Sequence, residues 1–142
     1  MFATTKSAQL IGLSADVIGI EVDIGKGLHS FSIVGLADKA VDEAKDRINA
    51  AIKNSGFKAP AKGNKKIVVS LAPADIKKTG THFDVAIALG FLLANGDIKF
   101  DPTGKLFLGE LALDGSIRSI RGTLFLARRA RAAGFTEIYV PK

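Results

Sequence analysis

The chain reads as a mixed α/β protein of the α+β kind, with a central sheet, two β-hairpins and about three helices. Three observations predict this. Residues 13–24 alternate apolar Val17, Ile18, Ile20, Val22 and Ile24 with acidic Asp16, Glu21 and Asp23, the period of two that marks a half-buried strand. From 38 to 55, Val41, Ala44, Ile48, Ala51 and Ile52 recur at three and four residues, the spacing of an amphipathic helix. Finally, a strand-like run at Ile67, Val68, Val69 and Leu71 leads through a basic glycine turn into the uncharged stretch 85–94. Strands that arrive both in hairpins and around helices imply a mixed sheet.

The elements follow in order. The first strand covers 13–24, Gly25-Lys26-Gly27 supplies a turn, and Phe31, Ile33 and Val34 form its expected hairpin partner. The helix over 38–55 stops at Gly56, a natural C-cap residue. Residues 57–66 mix proline, glycine and four lysines without periodicity and read as an exposed loop. The run 67–71 is apolar at successive positions, as in a central strand covered on both faces, and Pro73 ends it. Thr81 is the expected cap of the next helix, with Asp84 completing a capping box; 85–94 is apolar all round and so buried. Residues 106–113 and 116–120 form a second hairpin about Asp114-Gly115, Thr123 caps a helix reaching Ala133, and 137–140 is a last strand.

Composition narrows the function. With 142 residues, 47% hydrophobic and 24% charged, the chain fits a single folded domain over 1–142. The run 85–94 is about half the roughly 20 residues needed to cross a bilayer, and the N-terminus has no signal-peptide layout, so a cytoplasmic location without membrane contact is expected. There is no cysteine, and the two histidines, His29 and His82, are far apart. Disulfides, iron–sulfur clusters and thiolate zinc sites drop out. The formal net charge is +6, concentrated in two zones: Lys53, Lys58, Lys62, Lys65 and Lys66 without an intervening acid, and Arg118, Arg121, Arg128, Arg129 and Arg131. Either zone is a solvated surface or a contact for a phosphate backbone.

Nothing in the chain builds a phosphate-binding loop. The pattern GxxxxGK[ST] is absent, since Gly104-Lys105 is followed by Leu106. Gly25-Lys26-Gly27 lacks the following helix that a dinucleotide site uses. The six-residue tip from Lys77 to His82 has the layout of an active-site turn but offers no cysteine, serine or carboxylate. His82 there is a cap, a packing group or an acid–base. Glu110 and Asp114, four residues apart on a strand, stand roughly 13 Å from each other, too far for a catalytic pair. Asp75 and Asp84 are expected in turn and cap roles.

Three segments, residues 33–56 (IVGLADKAVDEAKDRINAAIKNSG), 68–90 (VVSLAPADIKKTGTHFDVAIALG) and 108–122 (LGELALDGSIRSIRG), resemble the N-terminal domain of the magnesium-chelatase-like ComM (YifB) AAA+ ATPases. The resemblance runs nearly end to end. It implies a domain that precedes an ATPase module, absent here, where ATP and magnesium would bind; a hexameric assembly; and action on DNA in competence and recombination. It also implies a fold like that of the Lon protease domain, the C-terminal domain of RadA-type proteins and the second domain of ribosomal protein S-five.

Lon-type proteases use a Ser-Lys dyad. Laid on those motifs, Gly80-Thr81-His82 puts His82 in place of the serine, and Arg121-Gly122-Thr123-Leu124 puts Leu124 in place of the lysine. Both dyad members are gone. The resemblance therefore implies a non-catalytic domain that engages DNA or assembles a ring. Lys53, Lys58, Lys62, Lys65 and Lys66 are candidates for a phosphate-tracking loop, and Arg128, Arg129 and Arg131 for a basic helix face. Without interleaved aromatic residues to stack on bases, such binding would be independent of sequence. The alternative is an oligomerisation or regulatory domain without DNA contact. A third class, an enzyme with a relocated nucleophile, would place it at Ser70 or Ser116.

Overall fold

The computed structural model describes residues 1–142. Strand β1, Phe2–Ile11, and strand β2, Ser14–Lys26, form a long antiparallel hairpin in which Phe2 faces Asp23 and Ile11 faces Ser14. Strand β3, Ser30–Val34, lies parallel to strand β4, Lys65–Ala72, and β4 is antiparallel to β2. The sheet order is β1-β2-β4-β3.

The expected pairing of β2 with β3 is thus overturned. Between β3 and β4 run the helices α1, Lys39–Asp42, and α2, Ala44–Asn54, and a helical crossover is what allows two strands to lie parallel. The edge of β2 that β3 was expected to take belongs to β4, and β1 holds the other. The single helix expected over 38–55 is divided at Glu43. Asp38 caps α1, its Oδ1 accepting from the Val41 amide at 2.8 Å.

The inner face of the sheet carries Ile18, Ile20, Val22 and Ile24 from β2 and Ile67, Val69 and Leu71 from β4, all buried against α2 and against α3, Asp84–Ala94. Burial of this set is the main source of stability, at about 25 cal/mol for each Å² of apolar surface removed from water. Strand β4 is central in the sheet but is not covered on both sides. Lys66 is exposed and Val68 retains 40% of its accessible surface, so the apolar run conceals a half-buried alternation. Gly90 lets α3 lie close to the sheet, because a Cβ there would stand 2.9 Å from Val22 Cγ2.

The second half adds β5, Lys105–Phe107, β6, Glu110–Leu111, β7, Ile117–Arg118, α4, Thr123–Ala132, and β8, Glu137–Tyr139. The expected hairpin is present as β6–β7, but β5 is a separate strand parallel to β8. Gly109, at φ 155°, separates β5 from β6; a Cβ on it would meet Val85 and Ile117 side chains at under 3 Å. A smaller core of Leu106, Leu108, Leu126 and Ala130 packs on Ala8 and Ala15, covering the outer face of the hairpin at that end.

Two expected caps are corrected. Neither Thr81 nor Asp84 caps α3; the position before the helix is Phe83, with no side-chain bond, and Asp84 is engaged elsewhere. Helix α4 is preceded by Gly122 in the left-handed conformation at φ 77°, so Thr123 is its first residue and not its cap.

Candidate functional site

The turn that follows β4 is held from three sides. Gln9 of β1, buried, donates from Nε2 to the Lys77 carbonyl at 2.8 Å and accepts from the Thr79 amide at 3.1 Å. The Lys78 backbone bonds in both directions to the segment after β3, its amide donating to Leu36 O and its carbonyl accepting from Asp38 N, each at 3.0 Å. The Lys78 ammonium is wholly buried and donates to the Pro73 carbonyl, and burial lowers its pKa. It closes the turn from within and is not a surface charge.

Beyond Lys78 the turn opens into a pocket of about 420 Å³. One wall is Thr79, Gly80, Thr81 and His82, the other Ser119, Ile120 and Arg121, and Leu10 and Leu126 are apolar lining. The His82 ring lies against Phe83 with centroids 4.3 Å apart, and its Nε2 is buried without a hydrogen-bond partner. Burial pushes its pKa down to about 4 against the opposing pull of the Ala8 carbonyl, so the ring is neutral at pH 7. Gly80, at φ 92°, sits beneath it; a Cβ there would be 3.0 Å from His82 Nδ1.

The two positions expected in place of a Ser-Lys dyad, His82 and Leu124, do not line one pocket. His82 lines the pocket, but Leu124 is 63% exposed on the first turn of α4 and is not among the lining residues. Helical periodicity turns Leu126 inward and leaves Leu124 outward. Neither candidate serine replaces the nucleophile beside His82. Ser116 Oγ bonds to Asp114 Oδ1 at 2.6 Å within its turn, and Ser70 lies on β4 with its neighbours Val69 and Leu71 facing the core.

Behind the pocket, Asp84 and Arg47 form a buried ion pair that sequence reasoning missed. Arg47 Nε donates to Asp84 Oδ2 at 2.6 Å and Nη2 to Oδ1 at 2.9 Å, a bidentate geometry. The Leu111 amide donates to the same carboxylate at 3.1 Å. The carboxylate raises the guanidinium pKa. Burial pulls the Asp84 pKa up, against the hydrogen bonds from Arg47 and Leu111. The pair joins α2 to the start of α3 and to β6.

The basic residues divide between surfaces. Lys58 and Lys65 line an open groove of about 960 Å³ at the other end of the sheet, together with Lys26, Gly25, Gly27 and Asn64. No carboxylate lines it. Lys65 also donates to Asn95 Oδ1. Lys66 is on the opposite side of β4 from Lys65, its stem against Gly27, while Lys53, in the last turn of α2, and Lys62, in the loop, are exposed outside the groove. Lys26 was not selected from the sequence because it lay isolated in a glycine turn; the β2–β4 register sets it opposite Lys65.

Arg128, Arg129 and Arg131, expected as a basic face of α4, do not share one environment. Successive residues advance by about 100° on a helix, and Arg129 turns toward the sheet, donating from Nε to the Ala15 carbonyl at 3.0 Å. All three remain exposed, and Arg129 alone makes that bond to the backbone.

Residues 20–142 match the family described as subunit ChlI of Mg-chelatase. The chain belongs to this family. It is 41% identical over 125 residues to the uncharacterised protein YifB of Escherichia coli, covering 87% of this chain and 24% of YifB. It is 40% identical over 123 residues to the competence protein ComM of Haemophilus influenzae, covering 86% of this chain and 24% of ComM. An uncharacterised Mycobacterium tuberculosis protein is 35% identical over 136 residues, 95% of this chain and 26% of that protein. The chain therefore spans about a quarter of the length of these relatives.

Proposed function

We propose that this chain is a non-catalytic N-terminal domain of a ComM-like AAA+ ATPase that acts on DNA in the cytoplasm, and that its contribution is to hold DNA by the phosphate backbone. The observation that carries the reading is the groove lined by Lys26, Lys58 and Lys65 with no carboxylate. Similarity to a competence protein over 86% of the chain agrees with it. Lysines are suited to this work as mobile point charges, which track phosphates without fixing base identity. ATP and magnesium would bind in a module outside this chain, and the whole protein would act as a hexamer.

The test is fluorescence anisotropy of labelled single-stranded and duplex DNA across a salt series, with the wild-type chain and with Lys26→Gln, Lys58→Gln and Lys65→Gln combined. Each phosphate contact contributes a slope of about −0.9 in log K against log salt on duplex DNA. The expected slope is roughly −2 to −3, nearly abolished in the triple variant. Equal binding by variant and wild type, or no binding at low salt, overturns the reading.

A second reading, ring assembly or regulation without DNA contact, is favoured by one feature. Val85, Leu89, Ile98, Phe100, Phe107 and Tyr139 line an apolar groove of about 420 Å³ on the α3 side, a surface suited to packing against another part of the assembly. Self-association retained in the absence of DNA affinity would select it.

A further inference from the structure

We propose that the pocket between Thr79–His82 and Ser119–Arg121 binds a carboxylate carried beside an apolar group, the chemistry presented by the C-terminus of a peptide ending in an aliphatic residue or by a small N-acylated amino acid. This site is independent of the lysine groove and of the DNA reading.

Four features converge on it. Arg121 is its sole charged lining residue and takes part in neither of the chain's ion pairs, Lys45–Asp42 and Arg47–Asp84. The amides of Gly80, Thr81 and His82 donate to no backbone carbonyl, although the flanking amides of Lys78 and Thr79 are both bonded. Successive unpaired amides around a left-handed glycine form a concavity for one oxyanion. Thr79, Thr81 and Ser119 add hydroxyls, and the neutral His82 ring adds no second charge.

The charge count selects the ligand. One guanidinium with no other ionised lining group matches a monoanion, and a guanidinium binds a carboxylate by paired hydrogen bonds. Leu10, Ile120 and Leu126 supply the apolar part of the wall, which a bare inorganic anion would leave unused. A volume of about 420 Å³ holds one amino-acid residue with its carboxylate and part of a second. The proposal is one of binding, with the Thr79, Thr81 and Ser119 hydroxyls acting as hydrogen-bond donors.

The experiment is a heteronuclear NMR titration of the ¹⁵N-labelled chain with N-acetylleucine, with N-acetylleucine amide and with inorganic phosphate. A saturable shift of the Gly80, Thr81 and His82 amides with the acid is expected, at least about tenfold weaker with the neutral amide and with Arg121→Gln, equivalent to the loss of one charge-assisted contact. Arg121 is exposed, so the variant keeps its fold, and an unchanged spectrum elsewhere verifies this. An acetylated tetrapeptide acid ending in leucine that binds tighter than N-acetylleucine assigns the ligand to a peptide terminus; equal or weaker binding assigns it to a small acid. Absence of a saturable shift with the acid, equal shifts with acid and amide, or a response to phosphate alone overturns the proposal.

Discussion

The two ends of strand β1 carry opposite arrangements of positive charge. At the Met1 end the groove is wide and shallow in chemistry: three lysines, glycine backbone and no carboxylate. At the Leu10 end the pocket is smaller and mixed, with one arginine, hydroxyls, unpaired amides and apolar lining. Roughly 30 Å of strand separates them, the nine steps between the ten residues of β1 at about 3.4 Å each. On the readings proposed above, the first arrangement would suit any polyanion that follows its charges, and the second one small anion of a particular shape. A net charge of +6 is therefore not a single property of the chain; its parts stand in different surroundings because the fold sets them on different scaffolds.

The pocket's scaffold is the easier to break. Arg47→Ala removes the partner of a carboxylate that is 1% exposed, and leaving a buried charge unpaired costs about 3–5 kcal/mol. The expected result is a large fall in the urea midpoint, with loosening of the pocket turn that precedes Asp84. Next comes pH. The His82 pKa falls from 6.5 to about 4 on folding, so the unfolded chain binds the proton more tightly. Stability from this residue is full above pH 6.5 and is lost as pH falls from there toward 4, by about 3 kcal/mol at most. Urea unfolding at pH 7.5 and 4.5 reads this, and the dependence should flatten in His82→Gln.

Smaller effects separate the ends further. Gln9→Leu leaves the Lys77 carbonyl and the Thr79 amide without their partner, a loss of about 1–2 kcal/mol. Hydrogen exchange should quicken at the Lys78 and Thr79 amides and stay unchanged around Lys58 and Lys65. On α4, where both residues are exposed, Arg129→Ala is expected to cost about 1 kcal/mol through the bond to Ala15 O, while Arg128→Ala, which breaks no such bond, stays within about 0.5 kcal/mol. Thermal melts of the two variants would show whether the arginines differ as the structure requires.

Which parts were legible follows from the same physics. Strand β2, helix α3 and the β6–β7 turn each announce themselves by period or by a turn dipeptide, because their inward residues are apolar. Strand β1 did not, since the residues it turns inward include Thr5, Ser7 and Gln9, all buried. Thr5 Oγ1 bonds to the Ala86 carbonyl at 2.8 Å and Gln9 to the pocket turn, so polar contacts with the next layer replace apolar packing and erase the alternation. With β1 unseen, β2 lacked its true partner, and β3 was assigned to it. The pocket was half legible. The turn from Lys77 to His82 and the position of His82 were marked by residue type, but Arg121 and Ser119 join it through long-range packing that no local pattern encodes. The Arg47–Asp84 pair spans 37 residues, and Asp84 at a helix start looks like a capping group until its partner is in view.

The most direct test of this division is a chemical-shift map of the labelled chain titrated with a short DNA duplex at low salt. The prediction is saturable perturbation at Lys26, Gly27, Lys58, Asn64 and Lys65, with Thr79–His82 and Arg121 unmoved. Perturbation centred on His82 and Arg121, or none at the lysine groove, would contradict it.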